Sequence, residues 1–173
     1  MKNGLMLLVL LVVIIVQGNG QEGYLTANKT DKLSIGLGMG LDFGGYGGNL
    51  AFYPQKNIGI YIGVGYVKSY PGLNAGIKLR TTTLTKDLIN PYITAMWGYN
   101  GVAVDEEEPE RNMMSFGPTF GIGVEFRLKP EGAGYFSLGL LFPKRRASFE
   151  RYTGNSATEI LISLGYHLNI ISR

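Results

Sequence analysis

The chain has 173 residues, a formal net charge of +3 at neutral pH, 26 glycines and no cysteine. Charged residues make up 17% of it and hydrophobic residues 45%, which excludes an intrinsically disordered protein, since disorder needs high charge and few apolar residues. The lack of cysteine excludes disulfides, zinc–thiolate sites and thiol catalysis, and the small, scattered excess of positive charge gives no support to nucleic-acid binding.

Residues 1–20 have the pattern of a secretory signal peptide. Lys2 supplies the positive charge, Leu5–Val16 is an unbroken apolar run, and Gly18 and Gly20 place small residues where a signal peptidase needs them. A membrane-spanning helix would need about 20 apolar residues, and this run is shorter. We therefore predict a signal peptide that is cleaved after residue 20.

From Leu33 onward, large apolar residues alternate with small or polar ones. Successive side chains of a strand point to opposite faces, so this period of two predicts strands with one apolar face. Pro118 lacks a backbone donor, which is typical of a strand edge or a bulge. We predict eight strands, each about the 9–11 residues that a tilted strand needs to cross a bilayer, centred on Leu33–Phe43, Asn49–Tyr53, Ile58–Val67, Leu73–Arg80, Tyr92–Tyr99, Phe116–Arg127, Tyr135–Phe142 and Ile162–Ile170.

The polarity of the two faces favours a membrane barrel. One face is Leu, Ile, Val and Phe, which suits hydrocarbon, and the other is mostly Gly, Ser, Asn and Thr, which suits the narrow interior that eight strands enclose. Closure also removes the unpaired strand edges that lipid cannot satisfy. We predict an all-β fold, an eight-stranded antiparallel up-and-down transmembrane β-barrel over residues 32–173, preceded by a short segment, 21–31.

Glycines recur on the predicted inward face. Because they have no side chain, they allow sharp strand curvature and leave room for large inward rings. The rings that we expect there belong to Tyr53, Tyr61, Tyr92 and Tyr135. The inward glycines are Gly36, Gly38, Gly40, Gly59, Gly63, Gly65, Gly76, Gly98, Gly117, Gly121, Gly123, Gly139 and Gly165.

The connections between these strands alternate in length. At one end we predict short or moderate turns at Gln55–Asn57, Thr83–Asn90 and Lys129–Ala133. At the other end we predict longer loops at Gly44–Gly48, Lys68–Gly72, Asp105–Met113 and Pro143–Glu159. This asymmetry is typical of bacterial outer-membrane barrels, and it predicts periplasmic termini with the long loops outside the cell.

Aromatic residues also fit a membrane location. Trp97 falls on the predicted lipid-facing side of its strand. Several further aromatics lie near strand ends, where membrane proteins carry an aromatic girdle; they are Tyr46, Tyr66, Tyr70, Tyr99, Phe126 and Tyr135.

The last predicted strand contains Ser163–Ile170, which has the order polar-x-Gly-x-x-apolar-x-apolar. Because of this segment and the strands that precede it, the region from about Asp31 to Ile170 resembles the small OmpA/OmpX-type outer-membrane β-barrel proteins. Its high glycine content is similar to that of such barrels from Bacteroidota. Asn90–Ala95 also resembles the strand entries of that family. The resemblance implies that the outer-membrane assembly machinery recognises Ser163–Ile170 and that the protein lies in a Gram-negative outer membrane. It implies no shared activity.

Six ionisable residues are predicted to face the barrel interior. Charges at that depth must be paired or hydrated. One interpretation is a structural network in which Glu125 neutralises two or more cations, and the alternative is a gated ion path lined by the same groups. The six residues are Asp42, Lys78, Arg80, Glu125, Arg127 and His167.

His167, the single histidine, raises the question of catalysis. With Ser163 it could act in a barrel enzyme that hydrolyses acyl chains of lipid A, which needs a His–Ser pair and an orienting carboxylate. The sequence has no His-x-Ser spacing, no G-x-S-x-G, no H-E-x-x-H and no P-loop. We therefore expect an interior, hydrogen-bonded histidine, no enzymatic activity and no cofactor or metal.

Two of the long loops carry opposite charges. Asp105–Glu110 is acidic, whereas Lys144, Arg145, Arg146 and Arg151 form a basic cluster. Solvated loops are the simplest interpretation. Outside the cell, however, the acidic run could bind the divalent cations that bridge lipopolysaccharide phosphates, and the basic cluster could contact those phosphates directly, because arginine matches phosphate geometry. Alternatively, the two loops pair with each other.

The leading hypothesis is a monomeric, non-enzymatic outer-membrane protein with a structural or surface-interaction role through its loops. Its expected partners are membrane lipid, lipopolysaccharide and the assembly machinery. One alternative is the lipid A-modifying barrel enzyme. The other is a secreted soluble barrel that binds a small apolar ligand, which would require the two faces to be inverted.

Overall fold

The computed structural model describes residues 31–55, 57–68, 70–81, 88–103, 112–128, 134–153 and 160–172. Each strand pairs antiparallel with its neighbours in the sequence, and the last strand pairs with the first, so that the sheet closes into a barrel. The prediction of an all-β, eight-stranded up-and-down barrel is confirmed. The strands are β1 (Asp31–Gly40), β2 (Gly45–Gln55), β3 (Ile58–Val67), β4 (Tyr70–Arg80), β5 (Ile89–Ala103), β6 (Met113–Phe126), β7 (Gly134–Pro143) and β8 (Leu161–Ser172).

Within the described residues, two short helices accompany the barrel. A 3-10 helix, Leu41–Phe43, follows β1 directly, and we call it the plug segment; an α-helix, α1 (Ala147–Tyr152), lies between β7 and β8. Within the described ranges, no helix has the length and apolar character needed to cross a membrane. The predicted signal peptide, 1–20, lies outside the described residues.

The two ends of the barrel differ in their connections. We call the end at which Asp31 pairs with Ser172 the terminal end; the β2–β3, β4–β5 and β6–β7 connections lie there. The opposite, distal end carries the β1–β2, β3–β4, β5–β6 and β7–β8 connections. Of the predicted turns and loops, residues 82–87, 104–111, 129–133 and 154–159 lie outside the described part of the chain.

The strand faces have the predicted polarity. Along β3, buried and exposed residues alternate through Gly59, Tyr61 and Gly63, which face inward, and Ile60 and Ile62, which face outward. The four tyrosines predicted to point inward are all buried, whereas large apolar side chains cover the outside of every strand. Trp97 is among these exposed residues, at 62% of its surface.

Three details of the sequence prediction are wrong at the distal end. β1 was expected to continue to Phe43, but it ends at Gly40, whose φ of 136° lets the chain turn into the barrel. As a result, Leu41 and Phe43 are buried inside instead of lying on the outer face. The predicted loops at Gly44–Gly48 and Lys68–Gly72 are instead tight connections, because β2 begins at Gly45 and β4 at Tyr70.

The predicted aromatic girdle is also wrong in part. Tyr46 and Tyr66 are exposed near strand ends, but Tyr99 and Tyr135 are buried in the interior. Tyr99 follows Gly98, which has a φ of 149°, and the β5–β6 register shifts just beyond it. This irregularity reverses the alternation, so that Tyr99 takes an inward position that the sequence period gives to the outside.

Pro118 lies where its missing donor is harmless. It pairs with Trp97 on the β5 side, while the β6–β7 ladder ends at Thr119 and Pro143. The carbonyl of Pro118 accepts a hydrogen bond from the Lys144 amide, just beyond β7. Because the N–H and C=O of a strand residue point to the same side, the absent N–H would have faced the side on which the β7 ladder has already ended.

Candidate functional sites in the barrel interior

An ion-pair cluster occupies the terminal half of the interior. Lys78 and Arg80 project inward from β4, and Glu125 projects from β6. Lys78 Nζ lies 3.0 Å from Glu125 Oε1, and Arg80 Nε lies 2.8 Å from Glu125 Oε2. The exposed fraction of Glu125 is 0%. One carboxylate thus contacts two cations, which is how buried charges become tolerable.

Aromatic rings complete the surroundings of these cations. Lys78 Nζ lies 4.4 Å from the ring centre of Tyr92, and the Arg80 guanidinium carbon lies 3.8 Å from that of Tyr53. Arg127, which directly follows β6, lies over Tyr135, with its guanidinium carbon 5.0 Å from the ring centre. Cation–π contacts of this kind gain strength when water is excluded. The interior tyrosine rings therefore help to stabilise the positive charges of Lys78, Arg80 and Arg127.

His167 is held by stacking and by one hydrogen bond. Its ring is nearly parallel to that of Tyr135, at 6°, with 4.7 Å between the centroids. His167 Nε2 shares a hydrogen bond with Ser137 Oγ over 3.1 Å. The hydroxyl of Tyr135 in turn lies 3.1 Å from Ser34 Oγ. His167 thus belongs to a buried polar layer beside the ion-pair cluster.

Asp42 is buried, but the ion pairs of that cluster do not include it. It belongs to the plug segment, and its carboxylate accepts a hydrogen bond from Ser163 Oγ. The plug backbone is held by two amides that the sequence reasoning did not single out: Asn49 Nδ2 donates to Asp42 O over 2.7 Å, and Asn74 Nδ2 donates to Leu41 O over 2.5 Å. Both asparagines lie on the predicted inward face. The alternation of residues did not predict, however, that a backbone segment would enter the barrel and bind them.

Glycine makes room for the plug segment. A Cβ at Gly63 or Gly65 would collide with the carbonyl of Asp42 or Phe43, and one at Gly165 would collide with the Phe43 ring. Phe43 itself is fully buried, and its ring centre lies 5.5 Å from that of His167. The plug segment therefore sits directly on the polar layer and fills the middle of the barrel.

A cavity of about 460 Å³ lies on the distal side of the plug segment. α1 covers it: Phe149 is buried against it, and Arg145, just before the helix, lies half-buried beside it. Apolar side chains form most of its walls. The lining residues are Met39, Gly40, Leu41, Gly45, Tyr46, Val67, Tyr99, Asn100, Gly101, Val102, Arg145, Phe149, Thr153, Leu161 and Ile162.

The connection before α1 is tied to β5 by two hydrogen bonds. Asn100 Nδ2 donates to Lys144 O over 3.0 Å, and Arg145 Nε donates to Asn100 O over 3.1 Å. The Arg145 guanidinium also faces the Phe149 ring, with 5.8 Å between its carbon and the ring centre. Burial lowers the pKa of Arg145 below its ordinary value, yet an arginine side chain remains charged at neutral pH.

The basic cluster is therefore divided. Lys144, Arg146 and Arg151 are exposed at the distal end, whereas Arg145 turns toward the cavity. The acidic run Asp105–Glu110 lies outside the described residues. Within the described part of the chain, no group of three or more His, Asp or Glu side chains is arranged to hold a metal ion.

No protein-family model matches this chain, and a search among curated proteins finds no sequence similar to it.

Proposed function

We propose that the protein is an integral outer-membrane β-barrel with a structural or surface-interaction role. The observation that carries this proposal is the polarity of the closed barrel. Large apolar side chains such as Leu37, Trp97 and Ile162 are exposed on its wall at 72%, 62% and 65%, whereas Glu125 and Lys78 are buried inside. Soluble monomers rarely expose a continuous apolar surface of this extent, and hydrocarbon would cover it.

The terminal end would face the periplasm and the distal end the outside of the cell. The two longest connections, between β5 and β6 and between β7 and β8, both leave the distal end, as in outer-membrane barrels. Ser163–Ile170 forms most of β8, and its apolar side chains are exposed. That surface is available to the assembly machinery that the resemblance implies.

Lipopolysaccharide is the partner that we propose for the distal surface. Lys144, Arg146 and Arg151 are exposed there, and phosphate groups attract such a cluster, most strongly where arginine forks can bind two oxygens. If the proposal is correct, replacing these three residues by glutamine should reduce the lipopolysaccharide that co-purifies with the protein. Unchanged co-purification would contradict it.

We further propose that the barrel has no enzymatic activity. A lipid A acyl hydrolase would need a serine and a histidine in contact at a place that lipid can reach. Ser163 binds Asp42, and the contact that His167 makes with Ser137 lies inside the barrel. All four side chains are buried. Mass spectra of lipid A from cells with and without the protein should be identical, and a change in acyl chains would favour the enzyme.

Membrane insertion itself is tested with Trp97, the one tryptophan of the chain. In vesicles, phospholipid brominated on its acyl chains should quench this fluorescence strongly, while iodide in the buffer should not. The folded protein should also migrate differently on a gel before and after heating. Quenching by iodide alone would contradict the membrane proposal and favour the secreted soluble barrel.

A further inference from the structure

The barrel wall is incomplete at the distal end of β1 and β8. The β1–β8 ladder ends at Met39, paired with Leu164, because the chain turns inward at Gly40. β8, however, continues past this point, and its residues Leu161 and Ile162 pair with β7. On their other side no β1 residue continues the described ladder. We call this gap, bounded by Met39, Gly40, Leu161 and Ile162, the wall notch.

The distal cavity reaches the outer surface through the wall notch. Its lining includes interior residues such as Leu41 and Phe149, and also Met39, Tyr46 and Ile162. The last three point outward and are 41%, 68% and 65% exposed. A cavity lined by both faces of one wall opens sideways, in this case onto the apolar surface that we propose to lie in lipid.

The residues that line the cavity favour an amphiphilic ligand. Leu41, Val67, Tyr99, Val102 and Phe149 offer apolar contacts, and Arg145 is the charged residue among the described residues that line it. A volume of about 460 Å³ lies within the range of small-molecule pockets, which are mostly apolar with a few polar groups that fix orientation. An occupant therefore needs an apolar chain and a negative head group.

We propose that the distal cavity binds a long-chain fatty acid, which enters sideways through the wall notch. The carboxylate lies at Arg145, and the hydrocarbon chain lies between the plug segment and α1. The sideways route rests on the proposed membrane location, whereas the binding site itself does not. The site goes beyond a structural role, because it gives the barrel a specific small ligand taken from its surroundings.

The binding test uses a tryptophan reporter in the cavity. The variant Trp97→Phe/Phe149→Trp is placed in phosphatidylcholine nanodiscs and titrated with dibromopalmitic acid. We expect quenching that saturates. The reference variant, Trp97→Phe/Ile122→Trp, carries its reporter on the exposed middle of β6, and its quenching should rise linearly as the acid partitions into the bilayer. Linear and equal quenching of both reporters would overturn the site.

The head-group test adds Arg145→Gln to the cavity reporter. Losing a charge-assisted hydrogen bond should weaken fatty-acid binding by roughly ten- to a hundredfold, and Arg145→Lys should restore part of it. Lys68→Gln removes an exposed cation at the same end and should leave binding unchanged. Dibromohexadecanol, which has no charge, should not respond to Arg145→Gln. An equal affinity of the Arg145→Gln variant for the acid would overturn the anionic head-group assignment.

A filling variant tests the cavity without touching Arg145. Val102→Trp, combined with Trp97→Phe, places a larger side chain in the cavity that Val102 lines, so radiolabelled palmitate should no longer bind saturably. Retained binding would overturn the location. Trp97 quenching by brominated phospholipid remains the separate test of membrane insertion. Loss of that signal with saturable palmitate binding intact would overturn the sideways route but not the site.

Discussion

The terminal and distal halves of the barrel interior are filled by different means. In the terminal half, side chains from the wall meet at the centre: Glu125 binds Lys78 and Arg80, and aromatic rings close the remaining space. In the distal half, the chain itself enters as the plug segment, and beyond it a cavity remains under α1. One half is suited to stability, whereas the other has room for a ligand.

Glycine has a different role in each half. In the terminal half, a Cβ at Gly36 or Gly59 would meet the ring of His167 or Tyr53, respectively. In the distal half, Gly63 and Gly72 lie against backbone atoms of residues 42 and 44. A side-chain ring can shift to relieve a collision, but a backbone segment held at both ends cannot. Substitution of a distal glycine should therefore be harder to accommodate.

The largest effect is expected in the terminal half. Glu125→Gln leaves Lys78 and Arg80 buried without their carboxylate, which should lower the free energy of unfolding by about 3–5 kcal/mol. Urea unfolding of the barrel in lipid vesicles measures this loss. An unchanged unfolding midpoint would contradict a stabilising role for the ion-pair cluster of the terminal half.

Two further variants control this measurement. Glu150→Gln removes an exposed carboxylate on α1 and should change stability by less than about 0.5 kcal/mol. The triple variant Lys78→Met/Arg80→Met/Glu125→Leu removes all three charges and should recover much of the loss, because a buried ion pair can be replaced by apolar groups at little cost.

An intermediate effect is expected where the plug segment meets the wall. Gly165→Ala places a methyl group against the Phe43 ring, and overpacking of this kind costs about 1–3 kcal/mol. Gly48→Ala is the matched control, since its Cβ would find its nearest heavy atom at 3.6 Å. Adding Phe43→Leu to Gly165→Ala should restore part of the stability. Equal unfolding midpoints for the two glycine variants would show that the plug segment shifts to accommodate the added methyl group at little cost.

The smallest effect is expected over the cavity. Asn100→Ala removes the hydrogen bond to Lys144 O that holds the connection before α1, at a cost of roughly 1 kcal/mol. The global midpoint should hardly move, but limited trypsin digestion from the distal side should cut faster after Arg145 and Arg146. An unchanged digestion rate would mean that this hydrogen bond does not hold α1 in place.

Much of the terminal half could be predicted from the sequence. Strand alternation placed Lys78, Arg80 and Glu125 on the inward face, because each lies at a regular position of a long, undistorted strand. The distances among them could not be predicted, since β4 and β6 meet only when the barrel closes around β5. Ser163 and His167, by contrast, are kept apart by β8 itself, because residues four positions apart on one strand lie about 13 Å from each other.

The distal half departs from strand periodicity, and there the sequence prediction was less accurate. The alternation through Leu41 and Phe43 is as regular as the rest of β1, so nothing in it predicts an inward turn. Asn49, Asn74 and the nearby glycines provide the space and the donors that the turn needs, but they come from β2, β3 and β4. Gly98 likewise turns Tyr99 inward through its own φ angle, which cannot be predicted from the alternation of side chains.

The number of strands, the apolar outer face and the small inner face can be predicted from the sequence alone, because all three follow from a local period of two. What fills the interior becomes apparent only in the folded barrel. The ion-pair cluster, the plug segment, the cavity and the wall notch all depend on residues far apart in the chain. Their positions are set by barrel closure and by the point at which β1 leaves the wall. Neither feature can be predicted from the residue alternation of a single strand.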